Sequence, residues 1–181
     1  MAERFALNQY GRTQLWTREF ARKVREDVST KLGQFLPGGV LAIDAKSIEV
    51  FDFSFANELF GKTLLSLPQE YPDRYVMVEN LNEYTRENLS KALESMGLAM
   101  IERAKGKVRL IGKFHQTDHD TFAAILKGGE PVTANELKDQ LEINLNAMNE
   151  RLAKLTSLSL IRREKVVSSA GREQYQYSVP Q

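Results

Sequence analysis

The segment Gly128-Gly129-Glu130-Pro131-Val132-Thr133-Ala134-Asn135-Glu136 holds the most restrictive punctuation in the chain. Adjacent glycines accept the left-handed backbone that closes a helix, and a proline just beyond them cannot continue it. Thr133 and Glu136 then have the spacing of a capping box. The Thr133 hydroxyl can accept from the Glu136 amide while the Glu136 carboxylate reaches back. So one helix stops and another starts within a few residues. Upstream, Thr121 to Lys127 is predicted to be helical, with Phe122, Ile125 and Leu126 at i, i+3, i+4 spacing. Downstream, a brief helix from Ala134 to about Leu141 turns Leu137 and Leu141 inward. A tight turn at Glu142-Ile143-Asn144 leads to a third helix, Leu145 to Leu158, whose buried stripe is Leu145, Met148, Leu152 and Leu155. Two strand-like stretches follow, Leu160 to Val167 and Glu173 to Val179, joined by the polar turn Ser168-Ser169-Ala170-Gly171.

Helix, capped short helix, turn, longer helix and hairpin is an order that resembles the winged helix-turn-helix transcription regulators. The likeness spans 118–181 and includes the exit Leu158-Ser159-Leu160-Ile161-Arg162 from the third helix. It implies a small α+β domain whose third helix enters the major groove of double-stranded DNA while the hairpin touches the adjacent backbone. On the third helix it points to Asn144, Asn146, Asn149, Glu150, Arg151 and Lys154. Asparagine can pair bidentately with adenine and arginine with guanine. On the hairpin it points to Arg162, Arg163, Lys165 and Arg172, which suit phosphates. Each asparagine taken singly also reads as a cap or a solvated side chain. Residues 113–181 carry 9 basic and 9 acidic side chains, and 160–181 carry 4 and 2, so positive charge gathers on the hairpin. A neutral module of this kind either binds DNA, with a homodimer gaining avidity, or serves protein contacts alone.

The N-terminal part reads differently. Phe5 to Tyr10 is expected to be a strand ended by Gly11. Thr17 caps a helix from Arg18 to about Leu32, with Phe20, Val24, Val28 and Leu32 on one face and Arg18, Arg22, Lys23, Arg25 and Lys31 as a solvated face. After the turn Pro37-Gly38-Gly39 comes a buried strand, Val40 to Asp44. Val50-Phe51-Asp52 leads into a helix with Ala56, Leu59, Phe60, Thr63, Leu64 and Leu67 inward, ended near Pro68. A strand at Tyr75 to Val78, a helix at Tyr84 to Met96 and a hairpin of Leu98 to Glu102 with Val108 to Gly112 complete it. Alternating strands and helices argue for an α/β domain, a sheet with packed helices. The expected organisation is 1–112, a linker 113–117, and 118–181.

The runs Leu41-Ala42-Ile43-Asp44 and Val50-Phe51-Asp52-Phe53-Ser54-Phe55-Ala56-Asn57-Glu58-Leu59 resemble the STAS-like domains, relatives of the anti-sigma factor antagonists, over about 4–112. The resemblance implies a mixed sheet with packed helices and a role in sensing or protein interaction. In the classical antagonists an Asp-Ser-Ser-Gly loop precedes the corresponding helix, and its second serine is phosphorylated by a partner kinase. Asp52 matches that aspartate and Ser54 that serine. Phe53 and Phe55 stand where the family has small residues. Capping of the helix by Asp52 is the alternative role of the same loop. Asn80 and Glu83 are expected at the same end of the sheet, as partner contacts or as loop residues.

Other chemistry finds little support. The chain has no cysteine, which removes disulfides, thiol nucleophiles and thiolate-bound zinc, and it has two histidines. His115 and His119, beside Asp118 and Asp120, are four apart but fit an exposed linker and first helical turn better than a metal site. No glycine-rich loop follows a strand, and no serine sits in a nucleophile elbow. Catalysis, a cofactor and a metal are therefore not expected. With 25 Lys+Arg against 24 Asp+Glu, no charge excess advertises a partner. The short charged N-terminus and the absence of a long apolar run suggest a cytoplasmic protein without a membrane span. Two functions follow: a DNA-binding regulator whose first domain senses or recruits, or a partner-switch adaptor that does not bind DNA.

Overall fold

A computed structural model describes residues 2–168 and 171–180. It is a mixed α/β protein with a mostly parallel central sheet. The chain divides into two compact units, one reaching Phe114 and the other spanning His115–Pro180.

In the first unit the elements run β1 (Glu3–Ala6), β2 (Gln14–Leu15), α1 (Arg18–Gly33), β3 (Val40–Asp44), β4 (Val50–Phe51), α2 (Phe53–Ala56), a π-helical turn (Asn57–Gly61), α3 (Lys62–Glu70), β5 (Tyr75–Glu79), α4 (Glu83–Ser95), β6 (Ala99–Ala104) and β7 (Lys107–Gly112). The sheet order is β1-β3-β5-β6-β7, parallel except for the last pair. Strands added in one direction through right-handed crossovers send their helices to one face. Accordingly α2 packs between α1 and α4 in a single layer. β3 and β5 are buried at every residue, as central parallel strands are.

Several sequence expectations change in detail. The first strand stops at Ala6, and Leu7–Tyr10 is a 3-10 turn closed by Gly11 at φ 67°. Ala6 pairs with Asp44, the last residue of β3, so no neighbouring strand remains to extend the ladder. The third helix passes through Pro68 to Glu70, because a proline in the last turn forfeits little of the ladder and buried Leu67 holds the turn down. The β6–β7 hairpin closes over Lys105-Gly106 alone. Both residues have positive φ, 50° and 76°, as a two-residue turn between twisted strands requires.

Three residues of the central strands are acidic and buried: Asp44 and Glu79, paired at the ends of β3 and β5, and Glu102 on β6. Each finds cations or amides. Arg4 lies 3.5 Å from both Asp44 and Glu79, Arg103 Nε donates to Glu79 at 2.5 Å, and Asn80 donates to Asp44 at 2.7 Å. Glu102 takes Arg86 from α4 and Arg109 from β7, each at 2.7 Å. In the helical layer Glu58, also buried, meets Lys62 at 2.7 Å and Arg25 at 3.3 Å.

The second unit runs α5 (Gln116–Gly128), β8 (Val132–Thr133), α6 (Ala134–Gln140), α7 (Leu145–Ser157), β9 (Arg162–Val167) and β10 (Glu173–Ser178). Its antiparallel sheet has the order β8-β10-β9. The first helix is longer than its apolar spacing suggests. It begins at Gln116, inside the expected linker, because His115 and Asp118 form a polar cap ahead of the first apolar residue. Ser169 and Ala170 of the expected polar turn lie outside the described residues.

Burial alone would raise the Glu102 carboxyl, but Arg86 and Arg109 hold it below its ordinary value of 4.5. A depressed carboxyl stabilises the fold above its unfolded pKa and loses that contribution as pH falls through the folded value. Urea midpoints should therefore drop on acidification below about pH 4.5. Glu102→Gln should flatten that acid limb and cost about 1–3 kcal/mol at neutral pH. An unchanged acid limb in the variant would assign the acid sensitivity to other carboxylates.

Candidate nucleic-acid interface

The second unit is assembled by local caps. The Thr133 hydroxyl accepts from the Glu136 amide at 3.3 Å, and Glu136 returns to the Thr133 amide at 2.7 Å, so α6 opens with the full capping box. That reciprocal bonding holds the Glu136 carboxyl below its usual range. Glu142 turns the chain at φ 53°, and the Asn144 side chain accepts from the Ala147 amide at 2.8 Å to start α7. Met148, Leu152 and Leu155 are fully buried, three and four residues apart.

Leu145 belongs to the same angular stripe, yet it remains 39% exposed. Periodicity sets the direction of a side chain but not how far neighbouring elements extend over the first turn. Leu141, at the end of α6, is half-buried for the same reason.

The six candidate residues of the third helix do not share one role. Asn146, Asn149 and Glu150 are exposed together on the first two turns. A surface depression of about 510 Å³ is lined by Asn144, Leu145, Asn146, Ala147 and Glu150. Asn144 spends its carbonyl on the cap, and Arg151 is half-buried. Lys154 is bound 2.5 Å from buried Asp118 of α5, whose second contact is the His115 amide at 3.0 Å. Burial would raise the Asp118 carboxyl, but Lys154 and the His115 amide hold it low. Lys154 is thus a strut between two helices. Nothing in the sequence spacing pairs residues 36 positions apart.

On the hairpin, Arg163 lies over the Tyr175 ring, 4.6 Å from its centroid. Lys165 pairs with Glu173 at 2.7 Å and Arg162 with Glu164 at 3.7 Å. Among the described residues, no ion pair engages Arg172 or Arg151. Arg162 is half-buried, whereas the exposed Lys165–Glu173 pair is worth at most about 1 kcal/mol and exchanges readily for a phosphate. Charge is polarised along the unit. Residues 115–143 hold 2 Lys+Arg and 6 Asp+Glu, whereas 144–181 hold 6 and 3.

In the first unit Asp52 caps α2, accepting from the Phe55 amide at 2.6 Å, and Ser54 is half-buried in the first turn. Asn82 caps α4, while Asn80 bonds to Asp44 and Glu83 is exposed. His115 and His119 lie at the start of α5, and no group of three potential metal ligands exists among the described residues. Among those residues, no helix is long and apolar enough to cross a membrane.

No family model matches the chain, and no curated protein matches it either.

Replacing Lys154 by alanine should destabilise the second unit by about 1–3 kcal/mol, because Asp118 is left buried without its cation. Carboxyl carbon shifts followed against pH should show Asp118 titrating higher in Lys154→Ala than in the parent chain. Unchanged stability and an unmoved Asp118 would free Lys154 for ligand contact.

Proposed function

We propose that the protein is a DNA-binding transcriptional regulator, with the second unit acting as a winged helix and the first as a STAS-like sensing or protein-interaction domain. The observation that carries this reading is the charge polarity of the second unit. The segment forming α7, β9 and β10 has a surplus of three positive charges, and the preceding segment has a surplus of four negative ones. A neutral total therefore conceals an uneven distribution of charge along the chain.

Two further features support it. The element order of α5, β8, α6, α7, β9 and β10 resembles that of winged-helix modules. The exposed face of α7 carries the hydrogen-bonding amides of Asn146 and Asn149, which suit base edges. In this reading Arg162, Arg163, Lys165 and Arg172 contact phosphates. Asn144 and Lys154 act through the structure of the module. The Asp52–Ser54 loop serves protein contacts.

Fluorescence anisotropy of labelled genomic fragments over a salt series is the test. Retention should weaken steeply with salt, by about 0.9 in log–log slope for each phosphate neutralised. Replacing Arg162, Arg163 and Arg172 together by alanine should lower the slope by about 2–3 and the affinity at moderate salt by at least about tenfold. Absence of binding at low salt would instead make the second unit a protein-contact module.

A further inference from the structure

All three aromatic side chains that are exposed among the described residues of the first unit, Trp16, Phe53 and Tyr84, belong to one end of it. β2 pairs with β4 with Leu15 opposite Phe51, and the Asp52 amide donates to the Leu15 carbonyl at 3.2 Å. Trp16 therefore stands beside the start of α2, whose first residue is Phe53. On the other side of α2, Asn88 donates to the Phe51 carbonyl at 2.8 Å, and Asn82 donates to Ile48 and Glu49 at 2.8 Å each. Tyr84 lies between those two asparagines, in the first turn of α4. Phe53 is thus flanked by Trp16 toward α1 and by Tyr84 toward α4. Exposures of 44%, 41% and 69% are large for such side chains, and clustered aromatics are the usual anchors of protein interfaces.

The charges on the two flanks differ in sign. The Trp16 side carries Arg12 and Arg18, and the acid beside it, Glu49, accepts from Gln14 at 3.2 Å. Arg12 lies over the Phe20 ring, 4.6 Å from its centroid. Glu19 follows Arg18 but points about 100° further round the helix. The Tyr84 side carries Glu83 and Glu87, and of its two cations Arg86 is committed to Glu102 and Lys91 to Glu87. Among the described residues, neither Arg18 nor Glu83 has an ion-pair partner, whereas Glu87 is paired with Lys91.

We infer that this end of the first unit is the interface of a twofold dimer with a second copy of the chain. A patch with an unpaired cation, Arg18, on one flank, an unpaired anion, Glu83, on the other and aromatic side chains between them is complementary to itself. Rotation by half a turn about an axis near Phe53 sets Trp16 and Arg18 of one copy against Tyr84 and Glu83 of its mate, twice over. The inference does not depend on DNA binding by the second unit.

Charge exchange in the full-length chain tests it. Trp16 is the only tryptophan, so its emission reports on the patch directly. With rising concentration the parent protein should go from monomer to dimer by sedimentation, with a parallel blue shift of Trp16. Arg18→Glu and Glu83→Arg, each alone, should weaken the dimer at least about tenfold by placing like charges together. Combined in one chain, they should restore it. Phe53→Ser should weaken it as well, with circular dichroism verifying that each variant is folded. A monomer at all concentrations overturns the inference. So does a dimer in which Trp16 emission stays constant, or one that the exchanged charges and Phe53→Ser leave intact.

Discussion

Three buried carboxylates govern the first unit. Asp44, Glu79 and Glu102 occupy three neighbouring strands, and burying a charge is costly unless a partner comes with it. Arg4 supplies charge from β1, Arg103 from β6, Arg109 from β7 and Arg86 from α4. The ion pairs therefore join every strand of the sheet and one of its helices. A slip of one residue in register would turn these carboxylates to the opposite face, away from their cations. Apolar strands alone would tolerate such a slip far better.

The second unit follows a different rule, in which helices are started one at a time by side chains that satisfy free amides. Thr133 and Glu136 open α6, Asn144 opens α7, and Asp118 with His115 opens α5. Asp118 adds a tertiary duty by holding Lys154, so the start of the first helix fixes the third helix against it. A side chain on the solvent side of a helical wheel is then occupied within the module. The same competition runs along the hairpin, where Arg163 has Tyr175 and Lys165 has Glu173. Exposed pairs of that kind are weak enough to reopen for a phosphate, whereas the Lys154–Asp118 pair is anchored by a buried acid.

Much of this architecture was legible in the residues. The capping box at Thr133, the Thr17 cap, the buried run Val40–Asp44 and the helix that ends near Met96 are local signals, and local chemistry suffices to read them. The two-residue strand β8 escapes such reading because it is too short for an alternation pattern and exists only by pairing with β10. The end of β1 at Ala6 was equally hidden, since it depends on where a strand nearly forty residues later runs out.

The sequence by itself determined the order of the longer helices and strands, the helix caps and the uneven distribution of charge, because each rests on neighbours along the chain. Tertiary structure decided which of the charged and apolar side chains are still available. It occupied Lys154, left Leu145 uncovered, and set Trp16, Phe53 and Tyr84 at one end. The reason is physical: periodicity fixes the direction of a side chain, whereas its exposure and partner depend on elements that only the fold brings near.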